Sequence, residues 1–337
     1  MEFIYMAEGY WVSDEEFIKI WNKSYTATDV SKKTGTSIRG VFARRRRLEF
    51  RYKIKLKSFP VGRPNPVIRA IQQTEGHVRR GIEIEKGRVL VFSDAHFQPG
   101  EVTTAYKALL MMIKEFKGEI KAIVANGDMF DGAQASRHPR IQWSNTPSVK
   151  EELEACQEFM GGIENAASKN SELIWCLGNH DSRFETFLSN AGGLTTYEGV
   201  PGFSLKDHFP MWKSCWSYWI NEDTCIKHKL RSGFGATRAN TQNAGINYIT
   251  GHTHNLSTFP VTDLSPAFNM GTRWGVQTGT LADIHSEAFV HYTEDAPVDW
   301  RSGFVLLSFE NGRMLMPEMI MVCGEDEFEF RGCINKV

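Results

Sequence analysis

One pattern recurs along the chain and constrains it more than anything else: a short apolar run that ends in a knot of Asp, His, Asn and Gly. Arg88-Val-Leu-Val-Phe-Ser93 ends in Asp94-Ala95-His96, and Ala122-Ile-Val-Ala125 ends in Asn126-Gly127-Asp128-Met129-Phe130-Asp131-Gly132. Leu173-Ile-Trp-Cys-Leu177 runs into Gly178-Asn179-His180-Asp181, Thr224-Cys-Ile226 leads to His228, and Ile246-Asn-Tyr-Ile249 leads into Gly251-His252-Thr253-His254. Apolar runs this short fit buried strands. Between them lie helical patterns. Val102 to Phe116 is one. In the next, Val149, Leu153, Cys156, Met160, Ile163 and Ala167 recur in steps of four and three behind a Ser148/Glu151 capping box. Strands alternating with helices predict an α/β fold, and such sheets bring the C-terminal ends of their strands to one rim. The polar knots are therefore expected to meet.

The assembled set is Asp94, His96, Asp128, Asn179, His228, His252 and His254. It offers carboxylate, imidazole and amide ligands and no thiolate, which suits a pair of hard or borderline divalent ions such as Mn, Fe, Zn, Co or Ni. One Asp can bridge two ions because a carboxylate has two oxygens. Gly127, Gly178 and Gly251 are expected to let the backbone turn sharply beside the ligands. Each residue alone has an ordinary use. An Asp after a strand commonly caps a helix or turns the chain, and that kind of reading serves or competes for His138, His208, His285 and His291. Applied to all seven together, it buries several charges with no compensating cation.

In order and type, Asp94-x-His96, Gly127-Asp128-x-x-Asp131, Gly178-Asn179-His180-Asp181, His228 and Gly251-His252-x-His254 resemble the motifs of the calcineurin-like metallophosphoesterases, over Arg88 to about Phe328. The resemblance implies a β-sandwich flanked by helices in four layers (αββα), here following a small N-terminal helical domain. It implies that Asp94, His96 and His254 hold one metal ion, that Asn179, His228 and His252 hold a second, and that Asp128 bridges them. His180 and Asp181 become the catalytic pair. His180 acts on the leaving group, while Asp181 and Asp131 orient neighbouring side chains. Mn2+ is the first choice of cofactor. The implied reaction is in-line attack on phosphorus by hydroxide shared between the ions. One departure is visible: Lys229 follows His228, where many relatives have Gly.

Charge divides the chain. The total of 39 Lys and Arg against 40 Asp and Glu hides 17 against 8 in Met1–Ile82 and 22 against 32 in the remainder. A basic N-terminal part is attracted to polyanions. Ser13 is expected to start a helix over Asp14 to Asn22, Val30 to sit on a short second helix, and Gly35 to make a tight turn. Ser37 then caps a third helix with Val41 and Leu48 on one face. This resembles a helix-turn-helix, with Arg39, Arg44, Arg45, Arg46 and Arg47 as candidate nucleic-acid contacts on the last helix. Four consecutive arginines wrap a helix, so they cannot all face one ligand. The alternating Lys53–Lys57 predicts a half-exposed strand. Residues 1–58 form this module in the expected division, 59–86 a Pro/Gly-marked linker, and 87–337 the metallophosphoesterase domain.

Ser136-Arg137-His138-Pro139, Arg183, Arg231-Ser-Gly-Phe-Gly-Ala236 and Val298-Asp-Trp-Arg-Ser-Gly-Phe-Val-Leu-Leu307 resemble a phage-encoded subgroup generally regarded as DNA-processing nucleases. Arg137, His138, Arg183 and Arg231 are thus candidate phosphate contacts, each with an ordinary surface-charge role as the competing reading. The leading expectation is a nuclease or phosphodiesterase acting on nucleic acid, DNA first. The alternatives are a phosphatase of small nucleotides or phosphoproteins, and a DNA-binding regulator with a vestigial enzyme domain. The longest apolar run, Ala108–Ile113, is far too short for a membrane span. Met1–Tyr10 has no basic stretch of the kind that opens a secretion signal, and the six cysteines form no Cys-x-x-Cys pair. The expected setting is therefore a cytoplasm, that of a host cell if the gene is a phage's, with no membrane partner. Oligomeric state stays open.

Overall fold

The computed structural model describes residues 12–24, 26–57, 79–136, 146–190, 199–233, 235–264, 269–286, 289–290, 293 and 299–337. The chain divides into two compact units, Met1–Val67 and Ile68–Val337.

In the first unit, three helices each start at a capping hydroxyl. These are α1 (Asp14–Lys23), α2 (Ala27–Thr34) and α3 (Ile38–Tyr52), where Ser13, Thr26 and Ser37 accept from the backbone N–H groups of Glu16, Asp29 and Gly40. Gly35 ends α2 in the left-handed conformation, as the turn requires. Phe17, Trp21, Val30, Val41, Leu48 and Leu56 close a small core. The strand expected at Lys53–Lys57 is absent. Lys53 ends α3 with φ +50, Leu56 drops into the helical core, and the Lys57 carbonyl accepts from Trp21 Nε1 at 2.9 Å. Alternation here reflects one buried side chain on an irregular segment.

In the second unit the described residues form two sheets. The larger holds β2 (Gly87–Phe92), β3 (Ile120–Ala125), β4 (Glu172–Cys176) and β5 (Lys213–Cys215) in parallel register. On its other side, β11 (Gly303–Glu310) pairs antiparallel with β2 and carries β12 (Arg313–Met314) and β13 (Glu318–Gly324), followed by β14 (Glu327–Phe330) and β15 (Cys333–Lys336). The smaller sheet runs in the order β1 (Arg79–Ile82), β6 (Ser217–Ile220), β7 (Thr224–Ile226), β8 (Asn247–Thr250), β10 (Asn269–Thr278), β9 (Leu256–Leu264). Residues 79–82, expected within the linker, are thus an edge strand paired in parallel with β6. Of the rest of that segment, 59–78 lies outside the described residues.

Both faces of the larger sheet are buried, which is why its strands read as unbroken apolar runs. Leu90, Phe92, Ile123, Ala125 and Trp175 pack against α4 (Thr104–Glu115) and α5 (Val149–Ala166), through Leu109, Met112, Cys156, Met160 and Ile163. Val89, Val91, Ala122, Val124 and Ile174 point the other way, onto Tyr218, Ile220, Ile226, Ile249 and Val276 of the smaller sheet. The period of two in β2 thus divides one strand between two cores. α6 (Ala236–Ala244) covers the outer face of the smaller sheet, so close that a Cβ on Gly275 would meet Thr237 and Thr241. Helix, sheet, sheet, helix is the expected four-layer order. Cys156, Cys176, Cys215 and Cys225 are buried free thiols. No helix among the described residues is long and apolar enough to cross a membrane.

Candidate metal centre

The sandwich brings both sheets to one rim. Asp94 and His96 follow β2, Asp128 follows β3, and Asn179, His180 and Asp181 follow β4, all in the larger sheet. His228 follows β7, and His252 and His254 follow β8, in the smaller one. The chain turns abruptly there. Among the described residues, eleven non-glycine residues have left-handed φ, and five of them are Asp94, His96, Asp128, His252 and His254. Such backbone is unfavourable for side chains with a Cβ and persists where surrounding structure enforces it, commonly at functional sites. Hydrogen bonds enforce it here. Asp94, His96 and Phe97 donate from backbone N–H to the carbonyls of Gly127, Asp128 and Met129 at 2.9–3.0 Å.

Three groups of ligand atoms lie within 4.8 Å of one another: Asp94, His96 and His254; His96, Asp128 and His180; Asp128, His228 and His252. Asp94 Oδ1 is 3.3 Å from His254 Nε2, and Asp128 Oδ2 is 3.0 Å from His228 Nε2. Asp94 and Asp128 are essentially fully buried. His96 Nε2 is buried without a hydrogen-bond partner, and His228 Nε2 is buried against the Asp128 carboxylate. Buried ring nitrogens converging on two buried carboxylates are what divalent cations require, so the residues fit the metals that the sequence implies. Asn179 lies on the same turn but is exposed, and its carbonyl accepts from Ser182 Oγ at 2.9 Å.

The electrostatics agree with a cation site. Burial alone would lower the His228 pKa. The Asp128 and Asp94 carboxylates outweigh it and push the ring up to about 9. The same field favours a metal ion, and ligation then requires the ring to lose its proton. His252 is pushed down to about 4, first by burial and then by the charges of His228 and Lys229. Burial would raise Asp131, but hydrogen bonds from the His180 and His96 rings outweigh that and hold it well below the usual carboxylate range.

Supporting contacts fix the ligands. Asp131 Oδ1 lies 2.9 Å from His96 Nδ1 and 2.8 Å from His180 Nδ1. His228 Nδ1 donates to the Asn126 carbonyl at 2.8 Å, leaving Nε2 for Asp128. Asp181, grouped with His180 as catalytic and expected to orient neighbouring groups, does the second alone. Its carboxylate accepts from the backbone N–H groups of Asp128, Met129, Phe130 and Gly178 and from Trp175 Nε1, at 2.7–3.0 Å. With its oxygens taken by these donors, it positions the Asp128 loop rather than meeting a reacting atom. The glycine argument also changes at two positions. Gly127 does have φ +87, but Gly178 and Gly251 are needed for space. A Cβ at Gly178 would run into the Asp128 carboxylate, and one at Gly251 would lie 2.6 Å from Ser93 Oγ and 2.7 Å from Asp94 Oδ2.

Arg183 reaches this cluster: its guanidinium lies 3.1 Å from His180 Nε2 and donates to the Asp131 carbonyl at 3.0 Å. Arg231 is exposed, with its backbone held by the Asn240 side chain. Arg137 and His138 lie outside the described residues. Among the helical arginines, Arg44 and Arg45 are used internally, on Asp14 and Glu49 at 3.0 Å each, while Arg46 and Arg47 are exposed. Arg39 lies on the first turn of α3.

Two features escaped the sequence reasoning. Glu152 is fully buried and accepts from Gly132 N at 2.9 Å and Ala133 N at 3.1 Å, clamping the loop that carries Asp131. Its signal was available: position 152 lies on the apolar face of α5, three after Val149 and four before Cys156. Phe289 and Trp300 form an aromatic wall, with Phe289 5.5 Å from His96 and Trp300 4.2 Å from His254 between ring centroids. Trp300 lies in the Val298–Leu307 run that resembles the phage-encoded subgroup, but nothing there marks it as part of the site, and Phe289 stands in no motif.

Fold and site together define an α/β protein with a His/Asp centre built for divalent ions on the shared rim of two sheets. The chain belongs to the calcineurin-like phosphoesterase family, whose model matches residues 87–256. No curated protein matches the chain in sequence. Similar solved structures include Vps29 of Entamoeba histolytica complexed with zinc, at 13% identity over 74% of this chain and 96% of that one, with a TM-score of 0.38. Another is a conserved uncharacterized protein of Streptococcus pneumoniae TIGR4, described as a predicted phosphoesterase, at 10% identity over 75% and 97%, with a TM-score of 0.28.

Proposed function

We propose that the chain is a nuclease or phosphodiesterase that hydrolyses nucleic acid, DNA foremost, with two divalent ions, Mn2+ first among them. The observation that carries the hydrolase reading is the pair of His/Asp groups, Asp94–His96–His254 and Asp128–His228–His252, with Asp128 also within reach of His96 and His180. Asp94, His96 and His254 would hold one ion, Asn179, His228 and His252 the other, with Asp128 between them. When bound, such a pair supplies Lewis acidity and makes water a nucleophile at neutral pH.

The chain's own groups do the rest. Asp131 fixes His180 through Nδ1, so Nε2 is the ring atom left to give a proton to the leaving oxygen. For that, the Arg183 guanidinium now beside Nε2 moves onto a phosphoryl oxygen, where its charge is wanted. Asp181 and Glu152 hold the two ends of the Asp128–Ala133 loop, so these groups need not reorganise during reaction. Nucleic acid is favoured over small phosphate esters because Met1–Ile82 carries 17 basic against 8 acidic residues and presents Arg46 and Arg47 outward. The same reading extends the resemblance to the phage-encoded subgroup and to work in a host cytoplasm.

The test pairs substrates. With Mn2+, the protein should degrade a plasmid or a labelled single strand, and Asp128→Asn should abolish that while leaving the fold intact by circular dichroism. Turnover of a small phosphomonoester with no cleavage of DNA would replace the nuclease reading with the phosphatase one. Full turnover by Asp128→Asn would remove the bridging role.

A further inference from the structure

We infer that the outward face of α3 binds single-stranded nucleic acid, with Phe50 as a platform for an unstacked base and Arg46 and Arg47 on the adjoining phosphates. This rests on the reading that the N-terminal unit engages nucleic acid, and it specifies the form of that ligand.

The four consecutive arginines divide by geometry. At 3.6 residues per turn, Val41 and Leu48 share the side of α3 that enters the core. Arg44 and Arg45 flank that side and are consumed there. Arg44 pairs with Asp14 and lies 4.8 Å over the Phe17 ring; Arg45 pairs with Glu49 and lies 5.2 Å over Trp21. Arg46 and Arg47 fall on the opposite side and are exposed. Phe50 lies one turn beyond Arg46 and three residues beyond Arg47, on the same outward side. At 88% exposure it is the most exposed large apolar side chain among the described residues.

A fully wetted phenyl ring contributes nothing to the core of a small helical unit. Its neighbours decide what it suits. Protein-binding faces surround an exposed aromatic with further apolar area and deplete charge at their centre, whereas the positions one turn before this ring on its side of the helix are Arg46 and Arg47. The other aromatics of the helix are engaged: the Tyr52 hydroxyl lies 3.4 Å from the Asp14 carboxylate, and Phe42 meets Trp21 edge-on at 6.0 Å. A phosphate backbone with splayed bases complements both features together: cations take the phosphates and the ring takes a base face. In duplex DNA the base faces are covered by their own stacking, so the ring would find only edges and a thymine methyl. The pattern therefore fits a single strand.

The experiment uses the full chain in EDTA, so that strands are not cut, with fluorescence anisotropy on a labelled oligo-dT strand and on a mixed-sequence duplex. Phe50→Ala, at a surface position where alanine also favours helix, should weaken single-strand binding by about 5- to 150-fold. Duplex affinity should be unchanged, as should hydrolysis of a p-nitrophenyl phosphoester assayed separately with Mn2+, and Phe50→Trp should restore the single-strand affinity. Wild-type single-strand affinity in Phe50→Ala overturns the proposal, as does equal loss on both ligands. A shift from dimer to monomer caused by Phe50→Ala without nucleic acid also overturns it, by showing the face to be a self-association surface. If the wild-type protein binds neither strand nor duplex, the underlying nucleic-acid reading of this unit falls as well. Duplex binding without single-strand preference removes this inference alone.

Discussion

Asp128 sits 1% exposed among histidine rings, and the residue that lets it do so has no side chain. Gly178 stands where any Cβ would collide with the Asp128 carboxylate, so Gly178→Ala has to displace either the bridging candidate or the turn that carries Asn179 and His180. Misplacement of a reacting group by about 1 Å costs on the order of 10²-fold. The expected outcome for Gly178→Ala is a fall in Mn2+-supported hydrolysis of that order, with weaker metal binding by calorimetry; near-normal rates would mean that Asp128 has room the structure denies it. The ligand candidates were legible because each follows an apolar run and each is a residue type with few other reasons to be buried. The reason for Gly178 was not legible, since a glycine for space and a glycine for φ look alike in sequence. The orienting role of Asp181 was legible, but its target was not. Only the five donors around it show that what it holds is the backbone of the Asp128 loop.

Elements were read well where both faces are buried. β2, β3 and β4 were found within a residue or two, and the capping box at Ser148 and Glu151 forms as expected. What failed depends on partners distant in sequence. β1 is a strand because β6 offers it an edge more than a hundred residues away, and Lys53–Lys57 is not one because Leu56 finds a helical core instead. The clamp between α5 and the Asp131 loop is of the same kind. Burial, then the charge of Asp131, raises the Glu152 carboxyl from 4.5 to about 7, against the pull of the Ala133 and Gly132 N–H groups. The folded state therefore holds a proton that the unfolded chain releases near 4.5. The favourable contribution is complete below the unfolded value and is lost as pH rises through about 7, to an extent of roughly 3 kcal/mol. Glu152→Gln removes the titration. It is expected to cost stability at every pH, because one amide N–H2 then faces a backbone donor, but to flatten the decline between pH 5 and pH 8 in urea unfolding. An unchanged slope would show that Glu152 stays ionised in the fold.

At the level of the molecule, charge is segregated by unit. Met1–Val67 carries 14 Lys and Arg against 7 Asp and Glu, while the chain after Ile82 carries 22 against 32. Composition made this segregation visible but set the joint no more finely than residues 59–86, a stretch that includes β1. A cut near Gly81 would look safe from the Pro/Gly-marked stretch alone, yet it would sever β1, whose Arg79–Ile82 pairs along Ser217–Ile220, and expose the edge of the smaller sheet that supplies His228 and His252. The division falls at Ile68, inside the expected 59–86 stretch. A chain starting at Ile68 is therefore expected to fold, bind Mn2+ and hydrolyse a small phosphoester at the full-length rate. Its affinity for DNA should fall, and the slope of log affinity against log salt should shrink, because that slope counts the phosphates neutralised by Lys and Arg and the acidic unit brings few to spare. A chain starting at Gly81 should be less stable than one starting at Ile68, which separates the contribution of β1 from that of the basic unit. If the Ile68 chain keeps the full-length affinity and salt slope for DNA, the phosphate contacts belong to the rim of the sandwich, and the basic helices serve some other partner.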